Sequence, residues 1–98
     1  MNINKTLEGT TLTIALEGRL DTTTSPQLET LLASELDGVT ELVFDFTDLD
    51  YLSSAGLRVL LTAQKRMNQQ GAMKLRNVNT TVKEVFDITG FADFLTIG

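Results

Sequence analysis

The stretch DLDYLSSAGLRVLL, residues 48–61, changes from a strand pattern to a helix pattern at two adjacent serines. Before it, ELVFDFTDL (residues 41–49) is apolar nearly throughout, which is typical of a central strand covered on both faces. After it, apolar residues recur at helical spacing, at Leu57, Leu60, Leu61 and Met67. The stretch therefore predicts a strand-to-helix junction at Ser53 and Ser54.

The segments on either side of this junction predict the rest of the fold. Residues 2–7 and 11–18 read as two strands joined by a turn, with Gly9 able to take positive φ, and so predict an antiparallel hairpin. A strand over residues 72–78 follows the junction helix, which Gly71 ends. The segment FLTIG, residues 94–98, is either a short last strand or a docked tail.

Two further helices are predicted from their capping residues. In the first, Ser25 is the expected N-cap, Pro26 fits the first helical position and Gly38 supplies a left-handed stop. Its apolar stripe consists of Leu28, Leu31, Leu32 and Leu36. In the last helix, Asn79 is the expected cap and Gly90 the stop, and its apolar residues are Val82, Val85 and Phe86. A hairpin followed by alternating helices and strands predicts an α/β fold whose mixed sheet has parallel later strands.

Composition excludes several classes of function. A chain of 98 residues is expected to form one domain, residues 1–98. It contains neither cysteine nor histidine, so zinc sites and Ser-His or Cys-His catalysis are excluded from the chain acting alone. The net charge of −5 argues against binding to nucleic acid or to anionic lipid. No apolar run reaches the roughly 18 residues of a membrane span, and the N-terminus lacks a basic-then-apolar signal pattern, so we expect a soluble, cytoplasmic protein. We also expect neither a metal nor a cofactor.

The two serines at the junction allow three interpretations. One of them can cap the helix, whose unpaired N–H groups and dipole favour an oxygen acceptor or a negative charge. A catalytic nucleophile would need a base, and Lys65 or another distant lysine is an improbable one. A phosphate acceptor, and thus a switch, is the third interpretation, because the carboxyl ends of strands in such sheets are where partners meet.

The sequence resembles the STAS domain of bacterial anti-sigma factor antagonists. The resemblance rests on DFTDLDYLSSAGLRVLL (residues 45–61), with LEGRLDTTTSPQLETLL upstream and EVFDITGFADFL downstream. It implies a partner-switching regulator of transcription and not an enzyme. In the family, the unphosphorylated antagonist binds a serine kinase of histidine-kinase-like ATPase fold that also serves as anti-sigma factor, and this releases the sigma factor. The kinase inactivates the antagonist by phosphorylation, and a metal-dependent serine phosphatase restores it.

The resemblance also implies which residues form the site. It aligns Ser54 with the phosphorylated serine, whereas Ser53 stands where the family has Asp and Ala55 where it has a small hydroxylated residue. Phosphorylation of Ser53 in place of Ser54 therefore stays an alternative. Asp21 either lines the same face or is a turn-forming carboxylate. The expected partner-binding residues are Asp21, Thr22, Thr23, Asp50, Tyr51, Ser53, Ala55, Gly56, Leu57 and Arg58. Tyr51 and Leu52 fit the core equally by type, and Leu52 is favoured as a core residue. For Arg58, the favoured alternative is a solvated charge on the helix.

A second function from another class fits the same family. STAS domains also occur as accessory subunits of membrane transporters, including lipid and anion transporters, without a phosphorylation cycle. The altered position 53 keeps this alternative open, whereas Ser54 and the length of the chain favour the regulator.

Overall fold

A computed structural model describes residues 1–93 and 95–97 of the chain. Its elements, in chain order, are β1 (Asn2–Glu8), β2 (Thr11–Leu20), α1 (Ser25–Glu35), β3 (Glu41–Leu52), α2 (Ser54–Gln70), β4 (Ala72–Arg76), α3 (Thr80–Thr89) and a short 3-10 helix (Phe91–Asp93). Of the predicted segment FLTIG, Phe94 and Gly98 lie outside the described residues, and Ile97 forms one parallel bridge to Leu75.

The four strands form one mixed sheet in the order β1-β2-β3-β4. β1 and β2 pair antiparallel, as the predicted hairpin requires, and Gly9 in their turn has a φ of +63°. β2–β3 and β3–β4 pair parallel, with α1 and α2 as the crossovers. The predicted α/β class and mixed sheet are confirmed. Because β2 and β3 are parallel neighbours, their carboxyl ends meet at one edge of the sheet.

The helices bury their apolar stripes against one face of the sheet. Leu28, Leu32 and Leu36 of the first stripe are buried, whereas Leu31 is only partly buried. The same cluster holds apolar side chains from every strand but β1, from α2 and from α3, including Leu12, Ile14, Leu16, Phe44, Phe46, Leu57, Leu60, Met67, Leu75, Val82 and Phe86. In the described part of the chain, no helix is long and apolar enough to cross a membrane.

β3 differs from the prediction that both of its faces are covered. On the core face, Phe44 and Phe46 are fully buried. On the opposite face Val43 is buried, but Asp45 is only half-buried and Thr47 is exposed. The prediction is therefore confirmed for one face only, because the helices cover that face and the other is partly open to solvent.

The second half of β3 contains two register shifts against β2. The four residues Asp45–Asp48 of β3 stand opposite the three residues Ala15–Glu17 of β2, and a second shift lies between Leu49 and Tyr51. These bulges replace the two-residue alternation with a three-residue spacing, which buries Phe46, Leu49 and Leu52. They also leave the intervening polar and aromatic residues Thr47, Asp48, Asp50 and Tyr51 exposed.

The start of α1 corrects one predicted cap. Thr24 is the N-cap residue, whereas Ser25 is the first helical residue and is buried. The Ser25 hydroxyl donates to the carbonyl oxygen of Asp21 at 2.5 Å. The Asp21 carboxylate accepts from the backbone N–H groups of Thr23 and Thr24 in the turn that precedes the helix, and the Thr24 side chain makes no capping hydrogen bond to α1. The Asn79 cap of α3 is confirmed, since its side chain accepts from the N–H of Val82 at 2.8 Å.

Candidate functional site

The site is built where the ends of β2 and β3 meet the start of α2. The backbone N–H of Ser53 donates to the carbonyl oxygen of Leu20 at 2.9 Å, and Leu20 pairs with Leu52 in the parallel ladder. The loop after β2, residues 21–24, therefore lies beside the first turn of α2. The structure thus brings together the two parts of the chain, residues 21–23 and 50–58, that contain the expected partner-binding residues.

The two serines of the junction have different environments. Ser53 is the N-cap of α2 with an extended backbone, and its hydroxyl oxygen accepts from the N–H of Gly56 at 3.4 Å. Its carbonyl oxygen also accepts the N–H of Leu57 at 3.0 Å. Ser54 is the first helical residue and is exposed, and its hydroxyl makes no hydrogen bond to any described residue. Ser53 is therefore the cap, and Ser54 presents the free hydroxyl.

Gly56 allows the first turn of α2 to lie close to the strand ends. A Cβ at this position would stand 2.7 Å from Cδ1 of Leu52 and 2.8 Å from Cγ of Leu20. Both leucines are buried, so neither side chain has room to move away. The packing beneath this turn therefore requires a glycine at position 56. The preceding residue, Ala55, is half-buried.

Burial corrects part of the predicted partner-binding set. Leu57 is 1% exposed and Gly56 is also buried, so both residues lie beneath the surface and neither is available to contact a partner. Leu52 is likewise buried, as its favoured assignment to the core requires. The other expected residues are at least partly accessible, namely Asp21, Thr22, Thr23, Asp50, Tyr51, Ser53, Ala55 and Arg58.

Asp21 combines the two roles that its position in the sequence left open. Its Oδ1 accepts from the backbone N–H groups of Thr23 at 3.0 Å and Thr24 at 3.1 Å, so it is a turn-forming carboxylate. Hydrogen bonding to the ionised form, from Thr24 most strongly, holds the pKa of Asp21 below its usual range. The residue is half-buried and follows directly on Leu20, so it also lies at the same edge of the sheet as Ser53.

Arg19 is a site residue that the sequence analysis missed. Its guanidinium lies 4.2 Å from the centroid of the Tyr51 ring, and its Nε is 3.7 Å from Oδ2 of Asp21. Tyr51 is 37% exposed. Arg19 therefore joins the turn after β2 to the end of β3 in one surface cluster. The sequence did contain a signal for Arg19. The alternation of buried and exposed residues in β2 continues past Gly18, so that Leu20 faces the core and Arg19 faces solvent.

The arrangement offers a surface and not a cleft. The described residues enclose no pocket, and no group of three or more His, Cys, Asp or Glu among them could hold a metal ion. What converges is an exposed hydroxyl at a helix start, an aromatic ring with a cation beside it, and carboxylates. We refer to the accessible part of this edge, formed by Arg19, Asp21, Thr22, Thr23, Asp50, Tyr51, Ser53, Ser54 and Arg58, as the junction surface.

Comparison with known proteins shows the family that this chain is similar to. The family model of the STAS domain matches residues 2–98. BtrV of Bordetella bronchiseptica, assigned as an anti-sigma factor antagonist, is 40% identical over 88 residues, which cover 88% of this chain and 76% of that protein. The anti-sigma-B factor antagonist of Staphylococcus aureus is 26% identical over 99 residues, covering 99% of this chain and 92% of its own length.

Solved structures share the fold at low sequence identity. An anti-sigma factor antagonist from Mycobacterium paratuberculosis superposes with a TM-score of 0.87 at 18% identity, over 98% of this chain and 83% of that one. The antagonist SpoIIAA in its unphosphorylated form gives 0.78 at 20% identity, over 99% and 87% of the two chains. The phosphorylated form of SpoIIAA from Bacillus also gives 0.78, at 21% identity, over 99% and 91%.

Proposed function

The chain belongs to the STAS domain family of anti-sigma factor antagonists, and we propose that it binds an anti-sigma factor serine kinase and thereby releases the sigma factor. The kinase then phosphorylates Ser54, which ends the complex, and a metal-dependent serine phosphatase restores the binding form. The protein acts by binding and not by catalysis, in the cytoplasm. The proposal extends the family assignment to a specific residue and a specific cycle.

The observation that carries the proposal is the exposed hydroxyl of Ser54 at the first residue of α2. A kinase needs a hydroxyl that it can reach and that is not already engaged in the fold. Ser53 satisfies both conditions less well than Ser54 does. It is half-buried, and its hydroxyl caps the helix. This contrast supports Ser54 over Ser53 as the acceptor, although Ser53 replaces the acidic residue that the family usually carries there.

Phosphorylation at this position is expected to change the interface and not the fold. It adds about −1.5 to −2 charges, which a helix start tolerates because the helix dipole offsets negative charge by roughly 0.3–1 kcal/mol. A hundredfold loss of affinity requires about 2.8 kcal/mol. One like-charge contact at about 4 Å supplies roughly 4 kcal/mol at an effective dielectric constant of 20. Repulsion across the interface is therefore sufficient for the switch.

The test is to incubate the protein with its cognate kinase and ATP and to map the phosphate by mass spectrometry. We expect phosphate on Ser54, none on the Ser54→Ala protein, and unchanged transfer to Ser54 in the Ser53→Ala protein if that variant stays folded. Phosphate on Ser53 alone would reassign the acceptor. No phosphate on either serine, with the Ser54→Ala protein behaving as wild type, would reject the switch and favour a transporter accessory subunit.

A further inference from the structure

One exposed stripe runs along α2 from the proposed phosphorylation site. Its members recur at three- and four-residue spacing and are all exposed, namely Ser54, Arg58, Thr62, Lys65 and Gln69. The intervening Leu57 and Val59 are buried, which fixes the orientation of the helix. Ser54 and Arg58 therefore occupy neighbouring positions, one turn apart, on the solvent side of α2. At this spacing Cβ atoms are about 5–6 Å apart.

Arg58 differs from Arg19 at the junction, and from Arg66 near the end of α2, in having no ion-pair partner among the described residues. Arg19 is engaged by the Tyr51 ring and the Asp21 carboxylate, and Arg66 pairs with Asp37 at 2.6 Å. For Arg58, no carboxylate among residues 1–93 and 95–97 lies within ion-pair distance. The residues of α2 include no Asp or Glu, so nothing on the helix itself competes for this cation.

The direction of helical side chains brings the two groups together. In an α-helix the Cα–Cβ bond tilts toward the N-terminus, so a long side chain covers the turn that precedes it. This direction puts Ser54, one turn earlier, within reach of the Arg58 side chain. A negative group placed four residues before a positive one is also the favourable order along a helix.

We propose that Arg58 binds the phosphate of phosphorylated Ser54 within the same helix, and this inference rests on the proposed function. The guanidinium donates charge-assisted hydrogen bonds to the phosphate oxygens, and its planar fork suits two of them at once. The contact neutralises part of the charge of the phosphate. It also holds the phosphate in one place at the start of α2, where an approaching partner meets it.

Such a contact stabilises the doubly charged phosphate over the singly charged form, so it lowers the second pKa of phosphoserine. The test installs phosphoserine at residue 54 during synthesis, by codon suppression, and follows its titration by ³¹P NMR at roughly 20 mM ionic strength, where screening is weak. We expect Arg58→Gln to raise the titration midpoint by about 0.2–0.4 pH units relative to the unsubstituted phosphoprotein. Arg58→Lys, which keeps the charge and loses the fork, should fall between the two.

Lys65→Gln is the matched control. It removes the same charge from the same stripe, but Lys65 lies 11 residues from residue 54 along the helix, or about 16 Å away. It should leave the midpoint unchanged. Equal titration midpoints for Arg58→Gln and the unsubstituted phosphoprotein would overturn the proposal. So would a shift of the midpoint in Lys65→Gln as large as that in Arg58→Gln. A shift in Arg19→Gln with none in Arg58→Gln would also overturn it.

A second measurement needs no substitution of the arginine. In ¹⁵N NMR, the Nε–H resonance of Arg58 should move when residue 54 changes from serine to phosphoserine, while that of Arg66 stays in place. A stationary Arg58 resonance would contradict the contact. Because the phosphate is installed directly, both measurements test the contact whether or not a kinase modifies Ser54, and failure of one hypothesis is distinguishable from failure of the other.

Discussion

The backbone N–H of Ser53 donates to the carbonyl oxygen of Leu20 at 2.9 Å, so the end of β2 is tied directly to the start of α2. The hydrogen bond continues the parallel ladder by one step beyond the Leu20–Leu52 pair. It fixes the turn that carries Asp21 relative to the helix start that carries Ser54. A rigid junction of this kind allows a small chemical change on one side chain to alter an interface without a change of fold.

Close packing beneath this junction predicts that Gly56→Ala destabilises the protein. The new Cβ meets two buried leucine side chains, and overpacking of this kind costs about 1–3 kcal/mol. Replacing glycine by alanine in a helix returns about 0.8–1.0 kcal/mol. We expect a net loss of roughly 1 kcal/mol in the free energy of unfolding, measured by urea denaturation.

Gly71→Ala gives the comparison for this prediction. There the Cβ would stand 1.8 Å from the carbonyl oxygen of Thr40, a backbone atom that cannot rotate away. Gly71 follows the last helical residue, so no gain in helix propensity offsets the clash. Gly71→Ala should therefore be the more destabilising of the two, and the reverse order would contradict this account of the packing.

Charge at residue 54 is predicted to weaken partner binding without unfolding the domain. Ser54→Glu places one negative charge at the helix start, about half that of a phosphate, and should reduce affinity for the kinase about tenfold or more. Thr62→Glu adds the same charge two turns further along the exposed stripe and serves as the control. Calorimetry measures the affinity and circular dichroism the fold. Equal affinities for the two variants, or an unfolded Ser54→Glu protein, would count against the switch.

Tyr51 is predicted to contribute to partner binding more than to stability. Its ring is partly exposed and held by Arg19, which suits an aromatic contact residue at an interface. Tyr51→Ala should lower affinity for the kinase by about tenfold or more, while the free energy of unfolding changes by about 1 kcal/mol or less. Ile88→Ala is the control, because Ile88 is 85% exposed on α3 and lies outside the junction surface. It should bind as the wild type does.

The Asp21 turn predicts a specific dependence of stability on acid. Because the folded state lowers the pKa of Asp21, the folded protein binds fewer protons there than the unfolded chain does. The contribution of Asp21 to the free energy of unfolding is therefore complete at a pH above its ordinary pKa of 3.8. That contribution is lost as the pH falls through the lower pKa of the folded state. Asp21→Asn keeps an oxygen acceptor for the turn but cannot titrate.

Asp21→Asn should flatten the acid limb of a plot of unfolding free energy against pH, below about pH 4. Asp50→Asn is the control, because the carboxylate of Asp50 is exposed and accepts no hydrogen bond from the described residues. A wild-type acid limb in Asp21→Asn would mean that the turn does not depend on the charge.

Local patterns in the sequence were sufficient for the element order and for most of the caps. The hairpin follows from the turn at Gly9, and the N-cap of α3 follows from Asn79, because each depends on its nearest neighbours alone. The N-cap of α1 is Thr24 and not the predicted Ser25, because the turn before the helix has hydrogen bonds that residue types alone do not reveal. A serine before a proline is a good cap by type, but the Asp21 carboxylate four residues earlier already satisfies that turn.

The candidate site was only partly predictable for a similar reason. Ser54 and Asp21 could be assigned from motifs, whereas the contact between Arg19 and Tyr51 depends on how β2 and β3 align. The two bulges of β3 set that alignment, and the register of one strand against its neighbour is not visible in the sequence of either strand alone. Gly56 and Leu57 were assigned to the interface because they belong to the motif, although packing places both beneath it.

The central claim is tested most directly by the affinity of the kinase for two forms of this chain that differ by one phosphate. Protein with phosphoserine installed at residue 54 and protein with serine there are titrated against the kinase in separate calorimetric experiments, and both are checked by circular dichroism. The account predicts identical spectra and an affinity at least about a hundredfold weaker for the phosphorylated form. Equal affinities, with both forms folded, would contradict it.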